Sequence, residues 1–123
     1  MKPAMKTTEA QTLRAIIDFL EPQQALGKLV YIRLHPVHPF TDKAGKTRFA
    51  KVRESQKGAP DLLVIKPAPR GVLPLIEVMA IEVKSPTGKQ SDDQKRWQER
   101  FEAVGGEYWL IRSVDEFLSR AES

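Results

Sequence analysis

The chain has 123 residues, of which 41% are hydrophobic and 29% are charged, as is typical of a globular protein with one modest core. It contains no cysteine, which excludes disulfides and thiolate metal sites, and no apolar run near the roughly 20 residues needed to cross a bilayer. Its net charge is +4, and the N-terminal stretch has no apolar signal segment. We therefore expect a cytoplasmic protein without a membrane partner, and a single domain over residues 1–123 with its core at about residues 8–118.

The first predicted elements are a helix and a strand. Thr8, three residues before Gln11, has the capping-box pattern, and apolar residues follow at helical spacing, so a helix is predicted over residues 9–20. Pro22 is expected to end it, because proline breaks the hydrogen-bond pattern of a helix interior. A strand is predicted at residues 28–34, KLVYIRL, and the HPVHP sequence stops it.

Residues 41–58 are predicted to form a loop or an irregular hairpin arm, with a short strand at residues 49–53. The segment 42–58, here called the basic arm, carries the whole charge excess of the chain, because it has six basic residues against two acidic ones. The basic residues are Lys43, Lys46, Arg48, Lys51, Arg53 and Lys57. Such a cluster is typical of a surface that binds nucleic-acid phosphates, and a solvated lysine-rich loop is the alternative.

The second half of the chain is predicted to contain three strands and two helices. They are a strand at residues 61–66, a strand at 75–84, a helix from the Ser91 cap to residues 105–106, a strand at 107–112 and a short helix after Ser113. The almost wholly apolar strand at 75–84 should be central and buried on both faces. The short link before it favours antiparallel pairing with the strand at 61–66, and the helical link after it favours a parallel, right-handed connection. The prediction is an α/β fold of order αβββαβ(α), a mixed central sheet flanked by helices.

Three charged residues should meet at one edge of this sheet. Asp61 starts one strand, and Glu82 and Lys84 end the strand that pairs with it in the antiparallel sense. The start of one antiparallel strand lies beside the end of the other, and residues two apart on a strand share a face. We therefore expect Asp61, Glu82 and Lys84 to converge.

Two further polar residues are predicted to point inward. Glu9 lies on the apolar stripe of the first helix, and Gln94 lies on the apolar stripe of the helix that contains Trp97. A polar side chain on such a stripe needs a partner. The structural alternatives are first-turn placement for Glu9, which the helix dipole favours, and a capping-box role for Gln94.

Two neighbouring carboxylates are unfavourable unless a cation lies between them. Mg²⁺ and Mn²⁺ bind such oxygen ligands, and Asp61, Glu82 and the backbone carbonyl of Val83 can supply them. Lys84 can then orient or deprotonate a water and offset negative charge on a phosphate. This is the chemistry of phosphodiester hydrolysis, and its alternative is a structural ion pair of Lys84 with one of the carboxylates.

Other polar and aromatic residues have simpler interpretations. Ser85, Thr87 and Lys89, in the loop after Lys84, are candidate contacts to the nucleic-acid backbone. The loop histidines His35 and His38 are expected to be solvated rather than to hold a metal. The aromatic residues are expected to belong to the core, because they follow helix or strand periodicities; these are Trp97, Phe101, Tyr108 and Trp109.

These motifs match a known family over nearly the whole chain, from Glu9 to about Phe117. Pro60-Asp61 followed by Glu82-Val83-Lys84 resembles the PD-(D/E)xK nuclease signature. The longer strings KGAPDLLVIK, IEVKSPTGKQSDDQKRW and LIRSVDEF resemble the VRR-NUC (virus-type replication-repair nuclease) domain of stand-alone phage and bacterial proteins. The long link at residues 67–74 departs from the pattern.

The resemblance implies a restriction-endonuclease-like core and a nuclease site. It implies Asp61 and Glu82 as metal ligands, Lys84 as the catalytic lysine, Gln94 in the active site and a contribution from Glu9. It also implies a homodimer. The prediction is a Mg²⁺- or Mn²⁺-dependent DNA endonuclease that acts on Holliday junctions, flaps or other branched DNA. The alternatives are a nucleic-acid-binding or assembly module that does not cleave, and a small-ligand domain, against which the lack of a glycine-rich phosphate loop argues.

Overall fold

The structure is a computed structural model that describes residues 8–34, 39–49, 53–69 and 75–122. Three helices, six strands and one 3₁₀ turn, at Glu54–Gln56, lie within these ranges. The helices are α1 (Glu9–Ala25), α2 (Asp92–Ala103) and α3 (Val114–Ala121), and the strands are β1 (Val30–Arg33), β2 (Pro39–Thr41), β3 (Thr47–Phe49), β4 (Leu62–Pro67), β5 (Ile76–Val83) and β6 (Glu107–Ile111). Within this part of the chain, no helix is long and apolar enough to span a membrane.

The main sheet has four strands in the order β1-β4-β5-β6. β4 pairs antiparallel with β1 and with β5, and β5 pairs parallel with β6, which confirms the two predicted pairings. Leu62 lies opposite Ile81 in the β4–β5 register. Continuing this register by one residue brings Asp61 beside Glu82.

One face of the sheet carries the main core, under α1 and α3. Its buried side chains come from the helices α1 and α3 and from the strands β4, β5 and β6. They are Ile16, Leu20, Leu62, Val64, Ile81, Trp109, Ile111 and Phe117. Burying each such side chain stabilises the fold by about 1.5–3 kcal/mol. The helix residues among them recur every three to four positions along α1, so one stripe of that helix covers the sheet.

The other face of the sheet is covered next to β6 by α2. Tyr108 alternates with the core residue Trp109 along β6, and its ring lies 6.3 Å from that of Trp97 on α2. Helices therefore flank the sheet on both faces, and the second half of β5, Met79 to Val83, is buried throughout. This confirms β5 as the central strand covered on two faces.

The predicted end of α1 differs from the structure. α1 continues through Pro22 to Ala25. A proline removes a single N–H, and α1 is already held to the sheet by Ile16 and Leu20, so its last turn can continue and Leu26 donates to the Pro22 carbonyl at 3.1 Å.

The structure describes the basic arm in part. The expected irregular hairpin is present as the β2–β3 pair, closed by Asp42, whose carboxylate accepts from the amides of Ala44 and Lys46. Of the short strand predicted at 49–53, the structure describes the two ends: Phe49 belongs to β3, and Arg53, with an extended backbone, directly precedes the 3₁₀ turn. Residues 50–52 lie outside the described residues.

Candidate active site

Asp61 and Glu82 meet at the edge of the sheet where β4 begins and β5 ends. One carboxylate oxygen of Asp61, Oδ2, accepts a hydrogen bond from the amide of Val83 at 2.8 Å. This bond continues the β4–β5 pairing with a side chain in place of a backbone carbonyl. The half-buried Asp61 carboxylate is thereby fixed against the backbone that follows Glu82.

Glu82 is the most unusual charged residue of the site. Its side chain is buried, with the whole residue 4% exposed. Oε1 accepts from the side-chain amide of Gln94 at 2.9 Å and lies 3.7 Å from the Lys84 ammonium. Oε2 is buried and has no hydrogen-bond partner among the described residues. A buried oxygen without a partner is costly, and native sites that keep one generally have a use for it.

The electrostatics of the two carboxylates follow from this burial. Burial, followed by the negative charge of Asp61, raises the pKa of Glu82 to about 7, and Lys84 opposes the shift. Burial also raises the pKa of Asp61, against the Val83 amide and the nearby Lys84 ammonium. A nearby positive charge would therefore stabilise the ionised form of each carboxylate.

Gln94 has both of the roles that the sequence left open. Its Oε1 accepts from the Ser91 amide, and the Ser91 hydroxyl accepts from the Gln94 amide, which completes the capping box of α2. Its Nε2 donates to Glu82. The cap fixes the start of α2 at the sheet edge, and the same side chain holds the carboxylate.

Gly58 brings the segment before Asp61 against the first turn of α2. Its φ is +82°, and a Cβ atom at this position would lie 2.3 Å from the backbone carbonyl carbon of Asp93. Only glycine allows this approach without moving one of the two backbones. Both segments line the same cleft.

That cleft has a volume of about 780 Å³ and contains the candidate site. Asp61, Glu82 and Gln94 line it together with the apolar residues Leu34, Leu63 and Trp97. Lys57 also lines it. The prediction that the aromatic residues belong to the core is confirmed for Tyr108 and Trp109, which are buried.

The structure brings Glu9 to the same region in a different way from the one expected. Glu9 is exposed rather than inward, because it starts α1 beyond the part of the helix that covers the sheet. Its Oε1 accepts from the Ser85 amide at 2.9 Å. Glu9 therefore holds the loop that follows Lys84.

Arg112 holds the same loop from the other side, and the sequence interpretation missed it. Its guanidinium donates to the carbonyls of Ser85, at 2.8 Å, and Gly88, at 2.5 Å. The available signal was its position directly after β6, whose end lies beside the end of β5 in a parallel pair. Arg33, at the end of β1, was also missed, and its positive charge contributes to the pKa of Asp61.

The other predicted nucleic-acid contacts lie mostly at the surface. Thr87 and Lys89 are exposed and Ser85 is half-buried. The basic-arm residues Lys43, Lys46, Arg48, Arg53 and Lys57 are all exposed, whereas Lys51 lies outside the described residues, as do His35 and His38.

Two basic side chains of the arm are engaged in ion pairs. Arg48 pairs with Asp42 at 2.5 Å, and this contact lowers the pKa of the Asp42 carboxyl. Lys57 pairs with Glu54 at 2.8 Å, which raises the pKa of its ammonium. Lys57 is also the basic-arm residue that lines the cleft.

Comparison with known proteins identifies the family. Residues 7–115 match the model of the VRR-NUC domain. The chain belongs to the VRR-NUC family. VRR-NUC domains are nucleases, so the family implies a hydrolase with a nucleic-acid substrate, and such nucleases are generally metal-dependent.

The solved structures support the same assignment for the fold. A structure titled "VRR_NUC domain" is 27% identical to this VRR-NUC chain, with a TM-score of 0.54 over 94% of this chain and 97% of the other. No curated protein matches the chain. Within the described residues, no group of three or more His, Asp or Glu side chains that could hold a metal ion occurs.

Proposed function

We propose that this VRR-NUC domain is a Mg²⁺- or Mn²⁺-dependent endonuclease that hydrolyses phosphodiester bonds in branched or flapped DNA. The observation that carries the proposal is the pairing of Asp61 with the buried Glu82 in an open cleft, where the Oε2 atom of Glu82 has no partner among the described residues. Without a cation, such an arrangement costs folding free energy, and buried groups of this kind are typical of functional sites.

The residues present fit a divalent cation. Two carboxylates with raised pKa values and one unpartnered carboxylate oxygen form a donor set of the kind that Mg²⁺ and Mn²⁺ prefer. Asp61 and Glu82 would hold the ion. The Val83 carbonyl would join them, because in a strand the N–H and C=O of one residue face the same side, and the Val83 N–H faces Asp61.

The ion, when bound, would lower the pKa of a water and offset negative charge on the phosphate. The protein residues supply orientation and charge. Lys84 holds a positive charge 3.7 Å from Glu82, where it can orient the attacking water and stabilise the phosphate oxygens. Gln94 fixes the direction of the Glu82 carboxylate. Glu9 acts through the Ser85 amide and keeps the loop after Lys84 in place.

A structural ion pair explains the same residues less well. Lys84 and Glu82 do form an ion pair, with 3.7 Å between the ammonium and Oε1. This pair leaves Asp61 directed to a backbone amide and leaves Glu82 Oε2 without a partner among the described residues. The nuclease interpretation accounts for these two features as well.

The test is cleavage of a labelled four-way junction, a flap and a plain duplex, each in Mg²⁺ and in Mn²⁺. Asp61→Asn and Lys84→Ala should each reduce the cleavage rate by about a hundredfold or more, because they remove a metal ligand and a charge at the reacting phosphate. Binding of the same DNA should change little. Lys66→Ala is the matched control, since Lys66 lies near the opposite end of β4 and pairs with Glu77.

Two results would contradict the proposal. If the wild-type protein cuts none of the three substrates with either metal, the endonuclease function is wrong. If Lys84→Ala cuts at the wild-type rate, the role given to the lysine is wrong even though the protein is a nuclease.

A further inference from the structure

The cleft extends well beyond the groups that the proposed reaction uses. Besides Asp61, Glu82 and Gln94, its lining includes the apolar residues Leu34, Leu63 and Trp97. Its volume of about 780 Å³ lies within the roughly 300–1,000 Å³ typical of pockets for small ligands. A cleft of this size that holds the proposed hydrolytic residues has room for a part of the substrate besides the phosphate.

Trp97 is the aromatic side chain among the residues that line the cleft. It follows Gln94 by three residues, hence by almost one helical turn, so the side chain that holds Glu82 and the indole lie on one side of α2. Phe101 stacks against the indole with ring centroids 5.0 Å apart and an angle of 24°. The ring is thus braced by the next helical turn, which leaves it preorganised for a flat ligand.

The second tryptophan of the chain has a different environment. Trp109 is 5% exposed, lies in the core on the opposite face of the sheet, and donates from Nε1 to Glu107. Trp97 is half-buried and lines the cleft. Packing in the core accounts for Trp109, whereas Trp97 packs on Phe101 and Tyr108 and also presents part of its surface to the cleft.

The nature of the occupant follows from the neighbouring chemistry. A phosphodiester held at Glu82 and Asp61 carries a nucleoside on each side, and Trp97 lines the same cleft as those carboxylates. Lys57, on the wall of the cleft, supplies positive charge for a flanking phosphate. In an intact duplex both faces of each base are covered by neighbouring bases, so only an unpaired or displaced base can stack on a protein ring.

We propose that the cleft binds one unpaired nucleobase next to the scissile phosphate, stacked on Trp97. The inference rests on the proposed nuclease function and gives it a substrate class: DNA with a single-stranded nucleotide at the site of cleavage. Base stacking tolerates any sequence, so the site selects the structure of the strand rather than its base order.

A binding comparison without metal tests this directly, because no cleavage takes place in EDTA. The probes are an oligothymidine and an abasic oligonucleotide of the same length, which keeps the phosphates and lacks every base. The wild-type protein should bind oligothymidine about tenfold more tightly or better, as expected for one stacked base. Trp97→Leu should bind both probes with the affinity that the wild type has for the abasic one. Trp97→Phe should recover part of the preference.

Fluorescence provides a second measurement that does not depend on the stability of the leucine variant. Trp109→Phe leaves Trp97 as the sole emitter, and its emission should be quenched by oligothymidine but not by the abasic probe. Trp97→Phe leaves Trp109, which should respond to neither. Equal wild-type affinity for the two probes, or an unquenched Trp97, overturns the inference.

The outcome is separable from that of the nuclease assay. Cleavage of junctions or flaps without any preference for bases would leave the proposed function standing and refute the base site. A preference for bases in a protein that cleaves nothing would support the base site and refute the proposed function.

Discussion

The burial of Glu82 predicts that this residue destabilises the metal-free fold. Glu82→Gln replaces the carboxylate with a neutral amide of nearly the same shape, which can still accept from Gln94. Raising the pKa of Glu82 from 4.5 to about 7 corresponds to about 3 kcal/mol of unfavourable free energy for the ionised form in the folded protein. Without metal, the variant should therefore be more stable than the wild type by up to about 3 kcal/mol at pH 8.

The pH dependence has a definite sign. A carboxyl whose pKa is raised by folding takes up its proton more readily in the folded state, so its favourable contribution is complete below pH 4.5 and is lost as the pH rises through about 7. The difference between Glu82→Gln and the wild type should thus be small near pH 4.5 and reach its full size above pH 7. An ion pair that stabilised the fold would give the opposite trend.

The measurement is urea unfolding followed by circular dichroism, in EDTA, at pH 5 and pH 8. Glu99→Gln serves as the control, since Glu99 is exposed on α2 and its substitution should change stability little at either pH. Adding Mg²⁺ at pH 8 should stabilise the wild type and have less effect on Glu82→Gln, because the variant lacks one proposed ligand. If Glu82→Gln is less stable than the wild type in EDTA at pH 8, the carboxylate supports the fold and the argument for a cation site fails.

The cleft wall and the basic arm allow two further tests. Gly45 and Gly58 both have positive φ values, so the backbone strain of alanine should cost about 1–2 kcal/mol at either position, but only Gly58→Ala also clashes with the backbone of α2, which should cost further stability and reduce cleavage. Equal activity of the two variants would show that the close approach at Gly58 does not shape the site. In the arm, the double substitution Lys43→Ala and Lys46→Ala should weaken DNA binding uniformly across sequences and reduce the slope of log affinity against log salt by about 1–2. Arg14→Ala, on the exposed side of α1, should leave that slope unchanged, and an unchanged slope in the double variant would remove the hairpin from the DNA-binding surface.

The predictions that hold depend on short stretches of chain. The caps at Thr8, Ser91 and Ser113 are patterns of four residues, and each forms as expected. The pairing of β4 with β5 follows from the length of one link, and it was enough to place Asp61 beside Glu82. The position of β1 next to β4 was not predicted, because the long arm between them imposes no particular pairing.

The features that the sequence missed depend on where elements end relative to one another. Glu9 has the phase of the apolar stripe, but α1 extends past the sheet, so the residue contacts a loop amide instead of the core. Arg112 lies at an ordinary strand end until the parallel pairing of β5 and β6 brings the loop after Lys84 to it. Helical phase cannot distinguish Trp97 from a core residue. It gives the direction in which a side chain points around the helix, but not how closely another helix or strand covers that side chain.

The sequence by itself therefore determined the elements, the pairing of β4 with β5 and the convergence of Asp61, Glu82 and Lys84, because these follow from local propensity and one short connection. Only the tertiary structure decided which oxygen of Glu82 lacks a partner among the described residues, which side chains hold the loop after Lys84, and that Trp97 lines the same cleft as the carboxylates. Those properties arise from distances of a few ångströms between segments far apart in the chain, and no local pattern encodes such distances.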